Sequence, residues 1–362
     1  MTSKSLSSRR IFDACLESDL VLSELETVDW AQRSESVAVD PGHLISIREN
    51  PDLKWNEQTG GDSDTHFLRM SKDVFAQYIE GIATFRVSHG RLIEWKRYDD
   101  SVSDRDIKTF LLDGAMAALF VQRGSLVFRG TTLHKNGQAV LLLADPVTGR
   151  STLAYLLLRN GWSLLSNGMA MVDSDGMAYS GIHSVKLWRD VLRSLDIDLN
   201  DLPVVRRGLN RFLMMPPSIP VVSGVYPLKA VYSLFRNDQK HQSREIPAHR
   251  GSETPQESAP NPSSDDFRIF HVRNHHVALM TYRNSISFPR FYRGMGREAG
   301  MFSSIAKLSG RDMLYRLQVP NGIKDMISRV SDLDLISAKC SYQDLSRRVG
   351  SDSATEYLPE SK

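Results

Sequence analysis

The order of apolar and polar residues divides the chain into stretches with different periods. From residue 1 to about 100, short helical signals mix with strand-like segments, and the clearest feature is a pair of alternating runs. These are Ala83-Thr-Phe-Arg-Val87 and Arg91-Leu-Ile-Glu-Trp95, set around Ser88-His89-Gly90. A period of two on either side of a short polar break predicts a β-hairpin. Further on, Ser103 with Asp106 three residues later is a capping signal, and Ile107, Phe110, Leu111, Ala115, Ala118 and Leu119 recur at helical spacing until Gly124. That spacing predicts a helix with one buried face.

From Gly124 the texture changes. Ser125-Leu-Val-Phe-Arg129 and Gln138-Ala-Val-Leu-Leu-Leu143 are strand-like runs joined across Asn136-Gly137, a turn pair suited to a hairpin. The second run is almost wholly apolar, so both its faces need cover, and a strand of that kind sits inside a helix-covered sheet. The turn Asp145-Pro-Val-Thr-Gly149 leads into a helical stretch over 151–159, ended by Asn160-Gly161. Strands are then expected at 162–166 and, after Asn167-Gly168, at 169–172, with Asp173-Ser-Asp-Gly176 as a turn. Later strand candidates are Val204-Val205, Val231–Phe235, Ile269–Val272 and Val277–Met280, and helices are expected over 301–309 and 322–330. The fold class is therefore α/β. The expected organisation is a smaller α+β region over 1–100, a core over 101–236, an insertion over 237–266, the rest of the core over 267–350 and a polar tail over 351–362. The insertion is rich in Pro, Ser, Glu, Gln and His with almost no large apolar residue, which predicts disorder.

Composition narrows the function classes. Hydrophobic residues make up 41% and charged residues 24%, ordinary values for a globular chain of 362 residues. A formal net charge of +2 gives no reason to expect a nucleic-acid partner. The basic clusters Arg206-Arg207 and Arg290, Arg293, Arg297 read as solvated faces. Cys15 and Cys340, far apart, argue against a disulfide framework or a cysteine-based zinc site. No signal peptide follows the basic start, and no apolar window reaches the roughly 18 residues a membrane helix needs. A cytoplasmic protein without a membrane span is the expectation.

The candidate chemistry lies at Ala144-Asp145-Pro146-Val147-Thr148-Gly149-Arg150-Ser151-Thr152, between the buried strand and the helix. In a phosphate-binding loop, backbone N–H groups face the anion and the helix N-terminus adds partial positive charge. A Lys reaches the outer phosphates, and Ser or Thr holds magnesium. Here Ala144 stands in place of the first Gly, Arg150 in place of the Lys, and Pro146 removes one N–H. From spacing alone, an ordinary strand–turn–helix with a Gly bend is the competing explanation.

The surrounding pieces come in a specific order: Phe110 to Gly124, Phe128-Arg129-Gly130, Asn136 to Leu143, the loop, and Gly161-Trp-Ser-Leu-Leu-Ser-Asn-Gly168. Over about 107–190 they resemble the HPr serine kinase/phosphorylase catalytic domain and its bacterial relatives. The resemblance implies a P-loop core related in fold to the HPr kinase C-terminal domain and to phosphoenolpyruvate carboxykinase, with ATP and magnesium as cofactors. It implies magnesium on Ser151, phosphate on Asp145 to Thr152, and oligomer formation. The family's Leu-His-Gly element falls on Phe128-Arg129-Gly130, and its paired aspartates fall on Asn167-Gly168, neither of which is a carboxylate. Asn167, Arg129 and Asp173 are the catalytic candidates on this basis, with Asp145 and Asp175 as further carboxylates able to replace the missing pair.

Three functions follow as expectations: a nucleotide-binding pseudokinase with a regulatory or structural role, toward an unknown protein partner; an active ATP-dependent serine kinase with a rebuilt site; or a partner-binding protein with a vestigial loop. Other candidates carry less. His271, His275 and His276 are expected on a strand as exposed or satisfied histidines. Gly294-Met-Gly296-Arg-Glu-Ala-Gly300 is expected as a turn entering a helix, and His183 to Trp188, including Lys186, as a loop near the core.

Overall fold

The computed structural model describes residues 7–27, 44–55, 67–236 and 266–337. The first sheet comprises β1 (Ser7–Ile11), β2 (Ala14–Ser18), β3 (Glu26–Thr27), β4 (Leu44–Glu49), β5 (Leu68–Met70), β6 (Val74–Ile79), β7 (Ala83–Ser88) and β8 (Leu92–Arg97). Its order is β3-β1-β2-β4-β8-β7-β6-β5, with β4 parallel to both β2 and β8. The expected hairpin is β7–β8, with Val87 opposite Ile93. His89 and Gly90 turn it in the left-handed region, at φ 53° and 64°. The helical signals expected in the first hundred residues are not realised: every strand or helix among the described residues there is a strand. Alternation overrides local propensity, because Phe75, Phe85, Val87, Ile93 and Trp95 all point inward and are fully buried.

A helical segment then crosses behind this sheet. It consists of α1 (Asp104–Phe110), a π-helical stretch over Leu111–Ala115 and α2 (Met116–Gln122). The Ser103 side chain accepts from the Asp106 N–H, as the capping pattern predicts. The continuous α-helix expected here is instead interrupted by the wide turn. The interruption coincides with a close approach, since a Cβ on Gly114 would lie 2.7 Å from Gln77 Oε1. Every residue of α2 is buried, so the expected single apolar face is in fact cover on all sides.

The remaining elements are β9 (Val127–Phe128), β10 (Gly130–Lys135), β11 (Gln138–Ala144), α3 (Arg150–Arg159), β12 (Ser163–Asn167), β13 (Ala170–Met171), β14 (Met177–Tyr179) and β15 (Val185–Trp188). They continue with α4 (Arg189–Ser194), β16 (Arg211–Met214), β17 (Val225–Phe235), β18 (Arg268–His271), α5 (His275–Asn284), α6 (Pro289–Gly294), α7 (Glu298–Ser309), β19 (Leu314–Gln318) and α8 (Ile323–Arg329). The second sheet runs β12-β10-β11-β17-β19-β18, with β14 against β17. Strands β11, β17 and β19 are parallel to one another. The fold is thus mixed α/β, with parallel and antiparallel pairs in both sheets.

Strand β11 shows why an apolar run must lie in the middle. Ala139, Leu141 and Leu143 join the core that includes Leu119, Tyr282, Ile305 and the first sheet's Phe85. Val140 and Leu142 join the opposite core, with Leu153 and Leu157 of α3 and Met326 of α8. Successive side chains go to opposite faces, and both faces are helix-covered.

Several expectations are corrected. Val277–Met280 lies in α5, because the Asn274 side chain accepts from the N–H groups of His276 and Val277 and starts a helix there. His275 and His276 therefore open a helix, and only His271 is on a strand. Val204-Val205 supplies a single bridge, Val204 to Phe212. The 125–129 run splits, with β9 pairing with β13 while β10, past Arg129, forms the Asn136-Gly137 hairpin with β11. Residues 237–265 of the expected insertion, residues 338–350, Cys340 and the tail lie outside the described residues. Among the described residues no helix is long and apolar enough to cross a membrane.

Two-sided burial of β11 makes a direct prediction. Leu141→Ala and Leu142→Ala, one on each face, should each cost about 2–5 kcal/mol in urea-induced unfolding. A cost near zero at either position would show that one face of the strand is not packed.

Candidate functional site

The turn over 145–149 leaves the carboxyl end of β11, the edge at which open α/β sheets bind ligands. Val147 adopts φ 68° and Gly149 φ 101°, both left-handed. Val147 is 94% exposed, so an apolar β-branched side chain is held in solvent in a conformation it disfavours. At Gly149 a side chain would be strained twice, by φ and by Arg236 Nη2 at 3.2 Å from a Cβ.

Helix α3 begins without a side-chain cap. Its first internal bond runs from Leu153 N–H to Gly149 O at 2.9 Å, and the N–H groups of Gly149, Arg150, Ser151 and Thr152 have no acceptor among the described residues. Four unsatisfied donors at a helix start carry partial positive charge and suit an anion. The Ser151 and Thr152 hydroxyls likewise have no partner among the described residues.

A cleft of about 460 Å³ opens over these donors. Arg129, Arg150, Lys186, Arg211 and Arg236 line it, against two carboxylates, Asp145 and Asp190. Arg150 Nη1 donates to Arg129 O at 2.6 Å, while its Nε is buried without a partner. Burial, then the neighbouring Arg129 and Arg211, push the Arg150 guanidinium down to about 10, still charged at neutral pH. Arg236 Nε donates to Thr148 O at 3.1 Å and braces the turn. Arg211 lies 5.4 Å from the centre of the Trp188 ring.

Lys186 comes from β15, where Val185 and Leu187 enter the core and leave Lys186 and Trp188 on the opposite face. Its ammonium has no hydrogen bond or ion pair among the described residues, and burial lowers its pKa. Asp113 and Glu24, which line the inner cavity with it, attract the ammonium without offsetting its burial, so this largely buried cation still destabilises the fold until a ligand adds negative charge.

Magnesium on Ser151 fits this donor set poorly. No group of three His, Cys, Asp or Glu side chains able to hold a metal occurs among the described residues, and cations outnumber carboxylates in the cleft.

The three catalytic candidates are not brought together. Arg129 lines the cleft. Asn167 is buried away from it, its Oδ1 accepting from Thr131 Oγ1 at 2.6 Å and its Nδ2 donating to Ser184 O at 2.8 Å. It borders a separate cavity of about 30 Å³, which Lys186 also lines. Asp173 caps its own turn, accepting from the N–H groups of Asp175 and Met177 and from the Tyr179 hydroxyl, and does not line the cleft. Asp175 pairs with Arg311 at 3.6 Å. His271 lies 3.2 Å from Asp312, and His275 Nδ1 is 3.2 Å from Ser309 O. Residues 294–300 form the expected turn into α7.

Arg211, Arg236 and Asp190 were not singled out in the sequence. They carry no local motif, and only the pairing of β15 with β16 and the parallel placement of β17 beside β11 bring them to the loop. No protein-family model matches the chain, and no curated protein is significantly similar to it.

Two substitutions test these roles. Asn167→Ala leaves the Thr131 hydroxyl and the Ser184 carbonyl unpaired in the interior and should cost about 1–3 kcal/mol in chemical denaturation, with anion binding unchanged. Loss of binding without loss of stability would return Asn167 to the site. Lys186→Met should raise the melting temperature at pH 7 by about 2 °C or more. A lowered lysine pKa means the unfolded chain binds more protons than the folded one between the two pKa values, so wild-type stability rises with pH there. The variant's advantage should accordingly shrink as pH climbs toward about 10.4. A pH-independent loss of stability would show that attraction to Asp113 and Glu24 outweighs the burial of Lys186.

Proposed function

We propose that the chain binds a phosphate-bearing ligand of the nucleotide class in this cleft, within an HPr kinase-like P-loop core whose phosphoryl transfer is impaired, and that it acts as a regulatory or structural pseudokinase. One observation carries the reading: four unpaired amide donors at the start of α3 face a cleft lined by five cations, at the carboxyl edge of a doubly buried strand. Amides and the helix dipole supply a fixed anion cradle, and the arginines supply charge and planar donors.

The impairment follows from what the cleft lacks. A positioned base contributes about 10²- to 10⁴-fold to rate. Asn167 accepts no proton at neutral pH and is engaged in the interior, Gly168 has no side chain, and Asp173 is held by its own turn.

A second reading, an active kinase with a rebuilt site, is favoured by one residue. Asp190 lines the cleft, and its carboxylate has no partner among the described residues. Like Asp145, it is a carboxylate placed to act as a base there.

Calorimetry with ATP and with inorganic pyrophosphate tests the first reading. Wild type should bind both in the micromolar range, and Gly149→Val should lose at least about tenfold in affinity. No heat from folded wild type would leave the loop vestigial. Phosphate transfer from ATP to a co-expressed protein, abolished by Asp190→Asn, would establish the second reading instead.

A further inference from the structure

An arginine- and lysine-rich cleft with an exposed amide cradle has two ways to receive a polyphosphate: as its magnesium complex, or as the bare anion. The side chains decide between them. Arg129 and Arg211 stand close enough to Arg150 to disfavour its charge, Arg150 Nε is buried without a partner, and the Lys186 ammonium makes no direct ion pair among the described residues, Asp113 and Glu24 of the inner cavity acting on it only at longer range. Three kinds of donor are therefore waiting for negative charge, and like charges gathered in a partly desolvated cleft repel until an anion enters.

A divalent cation would add to that repulsion. It would sit beside Ser151, one residue from Arg150, with the two cleft carboxylates Asp145 and Asp190 set against five cations. Magnesium would also remove charge from the ligand: a fully ionised nucleoside triphosphate or pyrophosphate gives up about half its charge on binding the ion, and the oxygens that coordinate it no longer accept from arginine or lysine. The cleft gains most from a ligand whose oxygens are all free.

Resting on the phosphate-binding reading above, we infer that the cleft selects a metal-free polyphosphate anion, with Arg129, Arg150, Lys186 and Arg211 taking the place of a divalent ion. Lys186 is central to this selection. It lines both the cleft and the inner cavity, where Glu24, Asp113 and Asn167 lie on its other side. The ligand class is a linear chain of at least two phosphates, free or carried by a nucleoside.

Calorimetric titration of the full chain with pyrophosphate and with ATP, in EDTA and in excess Mg²⁺, separates the possibilities. Binding should be at least about tenfold tighter in EDTA for both ligands. Lys186→Met should weaken binding in EDTA by about tenfold or more and narrow the gap between the two conditions. If Lys186→Met does not fold, Arg211→Gln carries the same comparison. Equal or tighter binding in Mg²⁺ overturns metal-free selection and leaves phosphate binding standing. No heat from folded wild type in either condition overturns phosphate binding itself. A gap that persists unchanged in a folded Lys186→Met or Arg211→Gln variant overturns the assignment to these cations.

Discussion

The burial of β11 on both faces is the constraint on which the rest depends. A strand whose alternate side chains enter two different cores cannot slide by one residue without exchanging every contact, so its carboxyl end is placed rigidly. The chain then turns at 145–149 and starts α3 directly over the strand it has just left. Free amides at that helix start are a consequence of this geometry, because the turn supplies no capping side chain and Gly149 contributes only backbone. Strain at Val147 is tolerated because the strand on one side and the helix on the other hold both ends of the turn, while Gly149 adopts its left-handed conformation without cost.

Electrostatics then works against stability in the same place. Arginines at 129, 150 and 211 and Lys186 converge from β10's entry, α3, β16 and β15, elements that pack for hydrophobic reasons and bring their charges with them. Asp113 and Glu24 attract Lys186 from the inner cavity but do not offset its burial. Gathered like charge of this kind is costly in an empty cleft, and an anion bound there would raise the stability of the fold. The inner cavity belongs to a different arrangement. There Asn167, two strands from the loop, joins Thr131 to Ser184 and has both ends of its amide engaged.

Much of this was legible along the chain, for reasons that differ by element. Asn136-Gly137, the apolar run over 138–143 and Ser103 with Asp106 each encode a local geometry, and the structure contains the hairpin, the doubly buried strand and the cap. Val277–Met280 misled because four apolar residues fit a strand or a buried helix equally well. The deciding signal, Asn274 as a cap, lay just before it. The first hundred residues read as mixed because their strands are short and irregularly spaced, while the pairing of β2, β4 and β8 joins segments far apart in sequence. At the site, the loop stood out because strand, turn and helix are consecutive. Arg211 and Arg236 did not, since their place depends on strand pairing across long separations. For Asn167, spacing gives its place on a strand but not the bonds to Thr131 and Ser184 that hold its amide.

Backbone amide resonances give the most direct view of the cradle. In a pyrophosphate titration followed by ¹H–¹⁵N correlation spectra, the amides of Gly149, Arg150, Ser151 and Thr152 should shift together and saturate with one affinity, since each donates to the anion. Shifts confined to arginine and lysine side chains or to other surfaces, with these four amides unmoved, would contradict an anion site at the start of α3.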